Sequence, residues 1–322
     1  MLYNISVSDM NLGDEIEGFF VLTSASRRTT AAGKTYLTGT LSDRSGSLEM
    51  VAWDYSGEIG PENNGKVVKV RGRVSEYRND RQFSAQRIRL ADRKDEYRPE
   101  DLVPAAPIDR DAQLREIDTL IDSLHDEDYR HLAAEALRRH RESFSLIPAA
   151  KSVHHGFLGG LLMHTADMLH IADFLSGQYA EVINRDLLLC GTLLHDMAKA
   201  REFSLSPLGL AVDYSLEGQL LGHTVMGAQE TAALAEELNL PKEKSVLLQH
   251  MILSHHGEPE FGAAVRPMCA EAELLHLIDM IDSRMEIYAE TFTTLPSGSF
   301  SGKIFALDRK IYRPAESEKH PE

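Results

Sequence analysis

The stretch DLLLCGTLLHDMAKAR, Asp186 to Arg201, sets three ionisable side chains at the end of an apolar run: His195, Asp196 and Lys199. A helix that is apolar on nearly every side belongs in the middle of a bundle, and Asp186 at its start is a good N-cap residue. Beside such a core, unpaired ionisable groups are costly or neutralise themselves. A bound metal ion removes that cost, and imidazole and carboxylate are suitable ligands. On a continuous helix Lys199, three residues after Asp196 and four after His195, would share a face with both. The simpler structural alternative is a histidine–aspartate pair capping a core helix.

Other metal-type residues recur along the C-terminal two thirds. His164 (HHGFLGGLLMHT) precedes His195 by 31 residues, His223 (EGQLLGHT) follows Asp196 by 27, His255-His256 (LSHHGE) begins 32 beyond His223, and Asp279 (LLHLIDMIDS) lies 23 after His256. Each gap fits one helix and one connection, so each candidate comes from a different helix. A bundle that points several imidazoles and two carboxylates inward can hold two metals with open positions. On a regular helix the adjacent His255 and His256 would diverge by about 100°, so one is expected to bind metal and the other to face a second metal or the phosphate. Asp282 either shares the face of Asp279 or pairs with Arg284. His154 and His155 precede the Gly159-Gly160 pair, where they contact substrate or serve structure. His125, His131, His140 and His170 read as surface or packing residues.

The helices that must position these groups are expected at Gln113–Leu124, Asp128–Phe144, Ser152–Leu175 (broken near Gly159-Gly160), Asp186–Lys199, Glu217–Leu238, Pro241–His256 and Ala270–Phe292. The insert Ser204–Tyr214 reads as a small hairpin, and the tail Ser299–Arg313 as an extended segment that docks on the bundle.

The first ninety residues follow a different period. IEGFFVLTS, TYLTGTL, LEMVAW, KVVKVRGRVSEY and QFSAQRIRL are strand-like runs separated by turn signals such as Asp43-Arg44-Ser45-Gly46 and Asn63-Asn64-Gly65. Five short strands with room for a helix or loop between the third and fourth describe a small closed barrel, the OB-fold order. Aromatic and basic residues interleave here. Tyr36, Trp53, Arg71 and Arg73 are candidate contacts for a single strand, because stacking platforms beside a basic groove are how such barrels hold one. The structural alternative is core aromatics and a solvated charged face. Residues 91–112, with Pro99, Pro104 and Pro107, read as a linker. The expected architecture is therefore multidomain: an all-β OB-fold barrel over 1–92, a linker over 93–112, and an all-α bundle over 113–322.

The chain of 322 residues can bury two cores. Its 43% apolar and 26% charged residues are those of an ordinary soluble protein, no apolar run is long enough to span a bilayer, and the N-terminus lacks a signal-peptide pattern. With Cys190 and Cys269 as the only cysteines, a disulfide framework is not expected and a reducing cytoplasm fits. The net charge of −16 is unevenly spread. Residues 1–90 hold 12 Lys+Arg against 11 Asp+Glu; the remainder holds 22 against 39. That acidity argues against nonspecific duplex binding over the whole surface and leaves a local basic groove open to nucleic acid.

The pattern H…HD…H…H…D resembles the HD-domain metal phosphohydrolases, and more closely the YhaM-type 3′-to-5′ exoribonucleases, in which an OB-fold is joined to an HD domain. The resemblance is carried by PAAKSVHHGFLGGLLMHT, LLHDMAKAREF, YSLEGQLLGH, LQHMILSHHGEPEFGA, EAELLHLIDMIDSRM and KIFALDRKIYRP, from about residue 147 to the tail; the N-terminal barrel matches more loosely. It implies divalent-metal ligation by His164, His195, Asp196, His223, His255 or His256, and Asp279. Two ions are expected, manganese first, with cobalt, iron(II) or nickel as alternatives. It further implies a cytoplasmic phosphodiesterase that trims single-stranded RNA, and by the same chemistry single-stranded DNA, from the 3′ end to nucleoside 5′-monophosphates, as a single chain or a homo-oligomer. Asp196 would bridge the metals, and Lys199 and an SHHG histidine such as His256 would stabilise charge on the phosphoryl or leaving oxygen. Two other expectations compete: an HD hydrolase of small nucleotides with a regulatory barrel, and a nonenzymatic nucleic-acid binder with a structural metal site.

Overall fold

The computed structural model describes residues 1–30, 33–78, 80–150, 157–206 and 208–315. It divides into two compact units, one built on Met1–Ala105 and the other on Ala106–Leu205 and the chain from Gly209 on.

The first unit is the barrel. Its strands are β1 (Leu2–Tyr3), β2 (Glu15–Thr29), β3 (Thr35–Asp43), β4 (Gly46–Ala52), β5 (Val67–Tyr77) and β6 (Asp80–Leu90). Alternation of apolar and polar residues puts Leu37 and Leu41 of β3, and Val68, Val70 and Val74 of β5, into one interior with Phe20, Met50 and Phe83. The long β2 is irregular between Thr23 and Ser26, pairing β3 on one side and β5 on the other. The parallel pairing of β4 with β6 (Met50 against Phe83) and the antiparallel β5–β6 ladder complete the closure, so the five long strands leave little open edge. Within the segment expected as a linker, Pro99–Leu102 forms a short helix, α1. Its Leu102 and the following Val103 are buried, and Tyr97 lays its ring beside Phe19 at 5.3 Å.

The second unit is helical. It comprises α2 (Arg110–Asp122), α3 (Glu127–Leu146), α4 (Gly160–Gln178), α5 (Arg185–Leu194), α6 (Lys199–Glu202), a hairpin of β7 (Phe203–Leu205) and β8 (Ala211–Tyr214), α7 (Leu216–Leu220), α8 (Gly222–Glu237), α9 (Lys242–Ser254) and α10 (Ala270–Thr294). A final hairpin pairs β9 (Ser299–Phe300) with β10 (Tyr312–Arg313). That tail folds on itself as well as being tethered: the Arg313 guanidinium donates to the carbonyls of Phe292 and Leu295 at the end of α10. Helix α5 is the central element, with every residue from Asp186 to Leu194 buried.

Several boundaries differ from the sequence expectation, and three of the differences have a clear local reason. Asn184, not Asp186, caps α5 by accepting from the Leu187 N–H; the Asp186 carboxylate instead accepts from the backbone of His125 and Asp126 at 2.8 and 2.6 Å and so anchors the start of α3. The helix does not run on to Lys199. It ends at Leu194, and the Thr192 carbonyl is taken by the His195 ring at 2.7 Å while the next turn tightens through Lys199 N–H to Asp196 O. The expected Glu217–Leu238 helix is two helices, because Gly222 at φ +74° turns the chain between α7 and α8. Among the described residues, no helix is long and apolar enough to cross a membrane.

Candidate metal centre

Four imidazoles surround the Asp196 carboxylate, each turned toward it by a partner on its far nitrogen. His164, on α4, gives its Nδ1 to Asp282 Oδ2 at 2.6 Å. Its Nε2 stands 3.7 Å from Asp196 Oδ2 and 3.5 Å from Asp279 Oδ1. His195, at the end of α5, donates from Nδ1 to the Thr192 carbonyl, and its Nε2 lies 3.3 Å from the same Asp196 oxygen. Around the other oxygen, Oδ1, His223 Nε2 lies at 3.3 Å and His255 Nε2 at 3.6 Å. His223 is held through Nδ1 by Glu202 at 3.0 Å, and His255 by the Ile252 carbonyl at 2.8 Å. Such outer partners fix the ring tautomer and orientation of a metal-binding histidine.

The donor atoms form two trios, His164–His195–Asp196 and His223–His255–His256, the atoms of each lying within 4.8 Å of one another. Asp279 joins the first. Buried polar atoms normally find a hydrogen-bond partner. Here His195 Nε2, Asp196 Oδ1, His223 Nε2, His255 Nε2 and His256 Nδ1 are buried without one, which accounts for most such side-chain atoms among the described residues. Their convergence, from imidazoles and a carboxylate only, fits divalent transition-metal ions.

The site's electrostatics follow from the same crowding. Burial opposes ionisation of Asp196, but Lys199 and His195 beside it hold the carboxyl well below the usual range. Burial opposes protonation of His195, and the Asp196 charge more than offsets that. Burial, with the neighbouring His256 and His195, holds His255 well below the usual imidazole range; burial and His223 bring His256 down to about 4. These two imidazoles are therefore neutral at physiological pH, the form that ligates. Lys199 donates from Nζ to Asp196 Oδ2 at 2.5 Å and, though burial opposes its charge, the carboxylate keeps the ammonium protonated.

Sequence reasoning takes one of His255 and His256 as a metal ligand and the other as facing a second metal or the phosphate. The structure brings both rings to the centre, with centroids 4.1 Å apart, just past the end of α9 at Ser254. Gly257 at φ +78° makes the turn, and a Cβ on it would collide with the ring of His276. His276 donates from Nδ1 to the His255 carbonyl at 2.9 Å, clamping the turn. Asp282 pairs with His164 rather than being limited to its neighbour Arg284. Sequence reasoning missed Glu202, which besides holding His223 Nδ1 accepts from the His223 N–H at 3.0 Å and so caps α8. Its one legible signal is an acidic residue shortly after HDMAK, before an inserted hairpin. His154 and His155 lie outside the described residues.

On the barrel, Tyr36 and Trp53 stack at 4.9 Å, and Trp53 and Arg71 line one groove. Arg73 is placed away from that groove, its Nε donating to the Gly13 carbonyl at 3.2 Å.

A closed five-strand barrel and a helical bundle with a histidine–aspartate centre define an OB-fold protein carrying an HD-type metal phosphohydrolase domain. The HD domain family model matches residues 161–284, and the model of the OB-fold nucleic acid binding domain matches residues 23–91. The 3′-5′ exoribonuclease YhaM of Oceanobacillus iheyensis is 34% identical over 308 residues, covering 94% of this chain and 95% of that protein. The YhaM of a Geobacillus species is 35% identical over 308 residues, covering 94% and 93%. The chain belongs to the YhaM 3′-5′ exoribonuclease family.

Proposed function

We propose that this protein is a metal-dependent 3′-to-5′ exoribonuclease that trims single-stranded RNA, accepts single-stranded DNA, and releases nucleoside 5′-monophosphates in the cytoplasm. The observation that carries the reading is the position of Asp196: one carboxylate oxygen faces His164 and His195, the other faces His223 and His255. In this reading His164, His195, Asp196 and Asp279 would hold one divalent ion, manganese first, and His223, His255 and His256, with Asp196 between the two trios, would hold a second. Bound divalent metals lower the pKa of water and neutralise charge on a phosphoryl group.

The protein's own residues supply the rest. Asp282, Glu202 and the Thr192 and Ile252 carbonyls hold four imidazoles ready, so little reorganisation is needed when the phosphate arrives. Lys199, protonated beside Asp196, stabilises charge developing on a phosphoryl oxygen. In the same reading His256 would also stabilise charge on the leaving oxygen or the phosphate. The barrel, with Tyr36, Trp53 and Arg71, grips the single strand.

The test is direct. Purified protein with manganese and a 5′-labelled single-stranded oligoribonucleotide is expected to give a ladder that shortens one nucleotide at a time from the 3′ end, abolished by exhaustive chelation. An intact substrate, or an immediate labelled mononucleotide, overturns the reading.

A further inference from the structure

The basic residues of the barrel are not equivalent. The outer face of β5–β6 and the segment following β4 line a groove of about 570 Å³. Four cationic side chains border it, and the ladder pairs them by like charge: Lys69 opposite Arg89, and Arg71 opposite Arg87. Like charges directly opposite on one face of an antiparallel pair are destabilising.

The first pair is neutralised from within the barrel unit. Lys69 Nζ lies 3.1 Å from Glu17, and Arg89 meets both carboxylate oxygens of Asp95 at 2.6 Å. The second pair is not. Arg71 and Arg87 are both exposed, and among the described residues neither side chain has an ion pair or a hydrogen bond. Glu17 stands in register with Arg71 on the β2 side, yet its carboxylate is turned to Lys69. Arg71 pairs with Arg87 while Gly72 pairs with Ala85, so Gln86 is the extra residue of a bulge. A bulge of this kind bends its strand and re-aims the neighbouring side chains. At the groove's rim Trp53 is 58% exposed.

We propose that Arg71 and Arg87 clamp one internucleotide phosphate of a single strand, with the adjoining base stacked on Trp53, and that Lys69 and Arg89 take no part. The clamp rests on the reading of the barrel as the grip for single-stranded RNA. Barrels of this class commonly take nucleic acid on the face of their second and third strands, here β3 and β4; the clamp lies instead on β5 and β6. Two guanidinium forks match the geometry of a phosphodiester, and its charge relieves the cross-strand repulsion.

The experiment measures binding of a fluorescein-labelled oligoribonucleotide to the full chain in EDTA, at several salt concentrations, with melting curves to verify folding. Arg71→Ala and Arg87→Ala are each expected to weaken binding about 3- to 10-fold, and the double variant to reduce the slope of log K against log salt by about 0.7, the value for one phosphate of a single strand. Lys69→Ala and Arg89→Ala are expected within about 2-fold of wild type. A wild-type salt slope in the double variant, or equal losses from Lys69→Ala or Arg89→Ala, overturns the clamp. If Trp53→Ala still weakens binding in that case, the barrel remains the grip and only the clamp fails. If none of the five variants, Trp53→Ala included, changes binding, the grip itself fails with it.

Discussion

The helical unit and the barrel place their polar groups in opposite ways. Around Asp196 the side chains are buried, His195 and His255 at 0% and 1% exposure, and each ring is held from behind by a carboxylate or a carbonyl. On the barrel, Arg71 and Arg87 on β5 and β6 and Trp53 just after β4 are exposed to solvent. Buried, pre-oriented donors suit a step that tolerates little movement; exposed rings and forks suit a strand that must slide as it shortens. Damage to the first region should therefore appear in rate and metal content, and damage to the second in apparent affinity.

The sharpest way to break that division is at Asp196. Asp196→Asn keeps the shape and removes the charge shared by both trios, so metal content is expected to fall and the single-turnover rate to drop on the order of 10³-fold or more. Full metal occupancy at a wild-type rate would end the bridging role. Lys199→Met keeps the aliphatic stem and loses the distal charge. Metal content should stay near normal while the rate falls roughly 10²-fold, by analogy with losing one oxyanion donor. A purely structural lysine would instead lower the melting temperature and leave the rate of the folded fraction unchanged.

The positioning partners come next. Asp282→Asn and Glu202→Gln weaken the hold on His164 and His223, and a loss of about 10- to 100-fold in metal affinity is expected, recovered in rate by excess manganese. Calorimetric titration of each variant with manganese checks this, and unchanged affinity would reduce both residues to packing. In the barrel, removal of residues 1–90 is expected to raise KM for a long oligonucleotide while hydrolysis of bis-p-nitrophenyl phosphate stays largely intact. Equal loss on both substrates would show that the barrel supports folding rather than grip.

The smallest effect is in the response of the metal-free protein to acid. His256 titrates at about 4 in the folded chain, because of burial and His223, against an ordinary imidazole value near 6.5. Between those values the unfolded chain takes up a proton that the folded chain refuses, so stability falls as pH drops from about 6.5 to about 4, and this group adds no further slope below. Melting temperatures measured across that window should decline less steeply in His256→Asn. An identical decline in the variant would remove this imidazole from the account.

Local pattern made much of this molecule legible. The period-two runs before residue 90 and the helical periods after 112 separated a barrel from a bundle, and the even spacing of His164, His195-Asp196, His223, His255-His256 and Asp279 put one candidate on each of several helices. These features are readable because alternation and helical spacing are properties of neighbouring residues, set by backbone geometry that the chain carries everywhere.

Tertiary structure alone decided the rest. The close approach of the His255 and His256 rings comes just past the end of α9 at Ser254, in a turn made by Gly257 and clamped by His276 from α10. Glu202 and Asp282 became partners of His223 and His164 through contacts spanning 21 and 118 residues, and no local signal specifies such a pair. The same holds for the barrel's bases. Lys69, Arg71, Arg87 and Arg89 are alike as sequence, and only the ladder register and the reach of Glu17 and Asp95 separate the neutralised two from the free two. The physical reason is common to both units. A charge acquires its role from the partner that folding brings to it, and that partner lies on another element whose position is fixed by packing rather than by its distance along the chain.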